Sequence, residues 1–200
     1  IDLMEGHKTG TYLDQQINHA LVANHCADKR VLDCFTFQGG FALHAAKAGA
    51  SEVLGLDQSE EALTQARANA LANDLKATFE QSNVFDWLKK NSGKEAREFD
   101  VVILDPPSFT RNRASVPDAL RGYKEIHLRA LRLLPPGGLL ATFCCSHHVD
   151  DDLFLDTILS AAADARKVLR LRERFWQSPD HPVVPAIRET EYLKGFLLEV

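Results

Sequence analysis

The sequence lacks several things, and each absence narrows the choices. No apolar run in its 200 residues approaches the roughly 20 needed to cross a bilayer, so no membrane partner is expected. The glycine fingerprint GxGxxG of dinucleotide binders is missing, and so is a Walker lysine. There is no internal repeat and no low-complexity segment. Cysteine is scarce: Cys26, Cys34, Cys144 and Cys145 lack the spaced pairs of a zinc site, and the adjacent Cys144 and Cys145 are poor disulfide partners. Reduced thiols in a cytoplasmic protein with no metal are the simplest account. Net positive charge is also absent; the formal charge of −5 argues against nucleic acid coating the whole surface. Locally the balance differs. Arg111, Arg113, Arg121, Lys124, Arg129 and Arg132 face only Asp118 and Glu125 as nearby acids, and Arg166, Lys167, Arg170, Arg172 and Arg174 form a second basic stretch. These runs read either as solvated faces of helices and an edge strand or as phosphate contacts.

What is present is an ordinary globular composition, with 45% apolar and 26% charged residues. No composition break divides the chain, so one domain is expected over residues 30–200, preceded by an N-terminal segment over 1–29. The opening Ile1-Asp2-Leu3 looks like neither an initiator nor a signal peptide, which suggests a fragment with a missing upstream domain.

Strand patterns alternate with helical ones, the mark of a parallel sheet with crossover helices. Strands are predicted at 30–34, 53–57, 78–81, 99–105 and 139–144, and two last, antiparallel neighbours at 168–175 and 192–200. Helices are predicted at 41–48, after Ser59, at 84–90, from Pro117 to about Leu134, and from the Asp150-Asp151-Asp152 run to about Ala165. The fold class is therefore doubly wound, Rossmann-like α/β, with a seven-stranded, mostly parallel sheet. Residues 176–191 form a long connection with prolines, of the kind often used as a lid or binding loop.

Ligands of such sheets bind outside the carboxyl ends of the strands, and the informative residues sit there. After the first strand, Gly39-Gly40 lets the backbone approach a ligand or simply makes a turn. Asp57, ending the second strand, can accept both hydroxyls of an adenosine ribose or cap the next helix. Asn83 offers an amide to an adenine edge. The fourth strand runs into Asp105-Pro106-Pro107-Ser108-Phe109, a stiff, donor-poor turn that projects a carboxylate and a ring in fixed geometry.

Asp33, Gly39-Gly40, Asp57, Asn83 and Asp105-Pro106-Pro107 fall where class I methyltransferases bind cofactor and substrate. The chain resembles, more closely, bacterial large-subunit ribosomal RNA methyltransferases of the 5-methylcytosine type, which carry a PUA domain ahead of the catalytic one. The resemblance rests on Gly6-His7-Lys8-Thr9-Gly10-Thr11-Tyr12-Leu13-Asp14-Gln15, Asp33-Cys34-Phe35, Arg121-Gly122-Tyr123-Lys124, Thr142-Phe143-Cys144-Cys145-Ser146, Asp180-His181-Pro182 and Tyr192-Leu193-Lys194-Gly195-Phe196. It spans essentially the whole chain.

The resemblance implies S-adenosylmethionine as cofactor and ribosomal RNA as partner, leaving a homodimer open. Its cofactor set is Tyr12, Gln15, Asp33, Phe35, Gly39, Gly40, Asp57, Gln58, Asn83, Val84 and Asp105, with the segment through Gln15 closing over the methionine end. Its substrate set is Pro106, Pro107, Phe109, Lys124 and His181. Register makes Cys145 the nucleophile that adds to carbon 6 of cytosine, with Asp105 as its partner acid. Strand alternation sends Cys144 and Cys145 to opposite faces, so one of them faces the pocket. Ser108 stands where many relatives have a second cysteine for product release, Asn83 stands where an acid is common, and His147-His148 has no assigned role. Three other readings stay open. A nitrogen methyltransferase acting on an RNA purine needs no cysteine after the fifth strand, and a non-catalytic cofactor- or RNA-binding module needs no turnover. A nicotinamide dehydrogenase is disfavoured by the missing fingerprint.

Overall fold

The computed structural model describes residues 12–93, 99–110 and 112–200. The stretch Gly6–Thr11 and Arg111, both singled out above, lie outside the described residues. The chain enters through a short 3-10 turn, Leu13–Gln15, and α1, Gln16–Ala23. It then alternates: β1 Arg30–Cys34, α2 Gly40–Lys47, β2 Glu52–Asp57, α3 Glu60–Ala72, β3 Thr78–Gln81, α4 Val84–Asn91, β4 Val101–Leu104, α5 Val116–Leu133, β5 Leu139–Cys144 and α6 Asp151–Asp164. It closes with β6 Arg170–Trp176 and β7 Lys194–Glu199. The seven strands form one sheet in the order β3-β2-β1-β4-β5-β7-β6. Neighbours from β3 to β5 pair in parallel, whereas β7 runs antiparallel to both β5 and β6.

The predicted starts and stops have local causes. Ser59 accepts from the Ala62 amide and caps α3, Asp150 accepts from Leu153 and caps α6, and a proline sits in the first turn of α5. The continuous apolar run of β4 follows from burial on both faces. Val101 and Ile103 join Val31, Phe41, Leu63 and Phe143 on one side, and Val102 and Leu104 join Leu32, Tyr123, Ile126 and Phe154 on the other. β4 is shorter than the predicted 99–105, because Asp105 already belongs to the turn.

α1 was not among the predicted helices. Its buried face carries Asn18 and His19 beside Val22 and Ala23, so the apolar period is broken. The fold satisfies that face: Asn18 Nδ2 donates to Gln15 Oε1 at 2.6 Å and to the Trp176 carbonyl at 2.9 Å. No helix among the described residues is long and apolar enough to cross a membrane.

Candidate active site

β1, β4 and β5 are neighbours, so the carboxyl ends that carry Asp33, Asp105 and Cys145 lie side by side. Asp33 is fully buried. Its Oδ2 accepts from Thr36 Oγ1 at 2.5 Å and from the Ala42 amide at 2.9 Å, whereas Oδ1 is buried without a hydrogen-bond partner among the described residues. Burial pushes this acid up to about 7 against the pull of those two bonds. Asp105 receives Gln15 Nε2 at 3.0 Å. Burial, reinforced by the charge of Asp33, also raises Asp105 to about 7.

The two cysteines separate as alternation requires. Cys144 is fully buried, with its sulfur 3.4 Å from Tyr123 Oη. Cys145 is half-buried, and its Sγ lies 3.9 Å from the Pro106 carbonyl. Of the pair, then, Cys145 is the one brought to the Asp105 turn. Burial, with the Asp105 charge next in size, holds its thiol up to about 12. The loops carrying the two groups are tied together. Thr110 Oγ1 hydrogen-bonds Ser146 Oγ, and buried Lys194 donates from Nζ to the carbonyls of Ser146 at 2.6 Å and Val149 at 2.5 Å. Nothing in the sequence alone pointed to Lys194 as a loop clamp; it takes the antiparallel register of β7 to set it opposite Cys144.

The loop after β1 is bent rather than merely glycine-rich. Phe35 and Phe37 both adopt left-handed backbone, with φ of 65° and 50°, a local strain that clusters at ligand-holding loops. Phe35 packs against Phe85 and Phe109, and Phe37 meets the edge of Tyr12 at 5.3 Å. Gly39 takes φ of 86°, and a Cβ at Gly40 would come within 2.7 Å of the His19 ring. Both glycines therefore have a packing reason.

Asp57 ties two loops together: Oδ2 accepts from the Phe37 amide and Oδ1 from the Ser59 amide, each at 2.9 Å. Gln58 is exposed, and its carbonyl accepts from Gln81. Asn83 caps α4, its Oδ1 accepting from Phe85 and Asp86, and Val84 behind it is buried. Pro106 is buried, Pro107 exposed, and Phe109 stacks in an aromatic group with its ring 4.6 Å from that of Tyr123.

The other two expected substrate residues have carboxylate partners of their own. Lys124 pairs with Asp164 at the last residue of α6, 2.8 Å away. His181 lies on the 176–191 connection and contacts Asp180. That connection is stitched to the entry segment, Ser178 donating its amide to the Asp14 carbonyl and accepting on its hydroxyl from the Ile17 amide.

Sequence reasoning also missed Asp14 as an individual. It is only 7% exposed, Tyr192 Oη donates to its Oδ2 at 2.7 Å, and its Oδ1 is buried with no partner among the described residues. Only the fold joins residues 178 positions apart. Among the described residues no group of three His, Cys, Asp or Glu is arranged to hold a metal ion.

A sheet of this strand order, with carboxylates along the ends of β1, β2 and β4, defines a Rossmann-like methyltransferase fold. The chain belongs to the S-adenosylmethionine-dependent methyltransferase family, whose model matches residues 1–197. It is 43% identical over its whole length to ribosomal RNA large subunit methyltransferase I of Enterobacter sp. (strain 638), covering 51% of that protein. It is 44% identical to the protein of the same name from Klebsiella pneumoniae (strain 342), again matching throughout and covering 50% of it. The chain thus spans about half the length of the curated relatives it matches. Among solved structures, a methyltransferase in complex with SAH superposes with a TM-score of 0.84 at 25% identity, over 96% of this chain and 50% of that one. The cofactor of the family is S-adenosylmethionine, and the orphaned, buried oxygens of Asp14 and Asp33 fit a ligand that brings positive charge and N–H donors.

Proposed function

We propose that this chain is the catalytic part of a ribosomal RNA methyltransferase that methylates carbon 5 of a cytosine through a covalent adduct on Cys145. One observation carries the reading: the Cys145 thiol stands against the Asp-Pro-Pro turn, within the field of Asp105. The names of the relatives support RNA of the large ribosomal subunit as substrate. The upstream PUA-type domain and a cytoplasmic location belong to the same proposal.

Carbon 5 of cytosine is a weak nucleophile, and addition of a thiolate to carbon 6 makes it enamine-like. Asp105, raised to about 7, keeps a substantial protonated fraction at neutral pH and can donate to the ring nitrogen as electron density moves onto the base. The bound cofactor supplies an electrophilic methyl on a sulfonium, whose positive charge favours thiolate on Cys145. Once carbon 5 has bonded to that methyl it loses its proton to a base, the carbon–sulfur bond to Cys145 breaks with release of the thiolate, and the ring nitrogen returns its proton to Asp105. Ser108, exposed beside Pro107, has no thiol with which to assist. The base must leave its helix to reach the thiol, and the exposed ring of Pro107 and the half-buried ring of Phe109 offer it an apolar edge.

Methyl transfer from labelled S-adenosylmethionine to unmodified ribosomal RNA tests this, with wild type and Cys145→Ala side by side and the modified base identified by mass. Label should appear as 5-methylcytosine and vanish in the variant. Label on a purine nitrogen that survives Cys145→Ala would replace this reading with the nitrogen methyltransferase.

A further inference from the structure

Three acids converge at this site. Among the described residues, none of Asp14, Asp33 and Asp105 takes part in an ion pair. Asp14 is close enough that its charge acts on Asp105, Cys145 and Tyr12. It is also held from two directions. Its carbonyl accepts from the Ser178 amide at 2.8 Å, and its Oδ2 accepts from Tyr192 Oη at 2.7 Å. That leaves Oδ1 buried and without a hydrogen-bond partner among the described residues. A buried polar atom without a partner costs about 1–3 kcal/mol, and more when it carries charge. The position of this oxygen at the ends of the strands that carry Asp33 and Asp105 makes it the acceptor left for a donor that a bound ligand brings.

The donor's chemistry is restricted. Among the described residues no metal-holding arrangement includes the acid. A sulfonium is positive but has no hydrogen to donate. An ammonium group offers both charge and N–H, and a charge-assisted bond is the strong kind.

We propose that Asp14 is a cofactor-binding residue whose Oδ1 receives the α-ammonium of the methionyl end of S-adenosylmethionine, with Tyr192 as the positioning residue that aims the carboxylate. The inference rests on the cofactor reading but not on the cytosine chemistry. Tyr192 reaches the carboxylate from just before β7 and Ser178 holds the Asp14 carbonyl, so the 176–191 connection and the entry segment become two sides of one cofactor clamp.

Calorimetric titration of the full chain with S-adenosylmethionine, S-adenosylhomocysteine and 5′-methylthioadenosine tests it, for wild type, Asp14→Asn and Tyr192→Phe. The first two ligands carry the ammonium, and the third lacks the amino-acid end. Asp14→Asn should weaken the first two alike, by roughly ten- to a hundredfold, and leave methylthioadenosine within about twofold. Tyr192→Phe should show the same pattern at smaller size, and it carries the test if Asp14→Asn does not fold. Equal loss for all three ligands, loss for the sulfonium alone, or no loss at all would overturn the assignment. Wild type that fails to bind S-adenosylmethionine would instead strike the cofactor reading itself.

Discussion

Gln15 and Asp105 stand 90 positions apart, and the side-chain amide of the first donates to Oδ1 of the second at 3.0 Å. The bond favours the ionised acid and so works against the burial that raises it. It also orients the carboxylate, because the other end of the Gln15 amide is fixed by Asn18. Gln15→Leu removes the donor while keeping the bulk. The expected result is a further upward shift of the Asp105 titration, read by carbon-detected carboxyl NMR, and a fall in methyl transfer of about tenfold or more, the worth of one hydrogen bond to a charged group. An unmoved titration would mean that the bond does not govern this acid.

The charge of Asp105 also sets the neighbouring thiol. It is the second cause, after burial, of the rise of Cys145 to about 12. Removing the charge therefore lowers that thiol and increases its thiolate fraction. In Asp105→Asn, methyl transfer should be lost while alkylation of Cys145 by iodoacetamide at pH 8 becomes several times faster. Cys26, Cys34 and Cys144 are fully buried and serve as slow internal controls in the same peptide map. Slower or equal alkylation in the variant would contradict the electrostatic coupling.

Most of the fold was legible because each element carried a local cause: apolar runs bounded by turns, Ser59 and Asp150 as caps, and a proline at the head of α5. The antiparallel close was legible too, from two extended segments separated by a connection with no helix pattern. α1 was not, since its buried side is polar and is satisfied by partners more than 150 positions away. The same limit explains the site. Asp33, Asp105 and Cys145 each end a strand, so topology alone puts them together. Asp14 and Lys194 do their work through Tyr192, Ser146 and Val149, pairings that no sequence period encodes.

Two pairs of titratable groups make opposite demands on stability as pH falls. Asp33 and Asp105 sit near 7 in the folded chain but near 4 when unfolded, so between those values the folded state holds extra protons and acidification stabilises it. His19 and His127 are pressed down by burial to about 3 and about 4, from about 6.5 unfolded. Through that window the unfolded state binds the extra protons, and acidification destabilises. The two effects largely cancel from pH 6.5 down to about 4. The melting temperature of the ligand-free wild type should change by only a few degrees between pH 8 and 5. Asp105→Asn removes one stabilising proton and leaves both histidines, so its melting temperature should fall clearly over the same range. Parallel profiles for the two proteins would sink this account.

Lys194 is 4% exposed and has no carboxylate within ion-pair distance among the described residues; its ammonium goes instead to two carbonyls of the loop that follows Cys145. Lys194→Met keeps the stem but orphans both acceptors, at about 1–3 kcal/mol each, partly offset by no longer burying a charge. A net loss of about 2 kcal/mol lowers the melting temperature by roughly 4–8 °C for a chain of this size. If the lysine acts by holding the loop, the damage should be selective. Affinity for S-adenosylhomocysteine should stay within about threefold, because the acids proposed to hold the cofactor, Asp105, Asp33 and Asp14, are held by Gln15, Thr36 and Tyr192 rather than by this loop. Formation of the covalent adduct with RNA containing 5-fluorocytosine should slow at least tenfold, since the thiol must be aligned with carbon 6 to add. Adduct formation at the wild-type rate in a folded Lys194→Met protein would reduce Lys194 to a stabilising residue with no hold on the proposed nucleophile, Cys145.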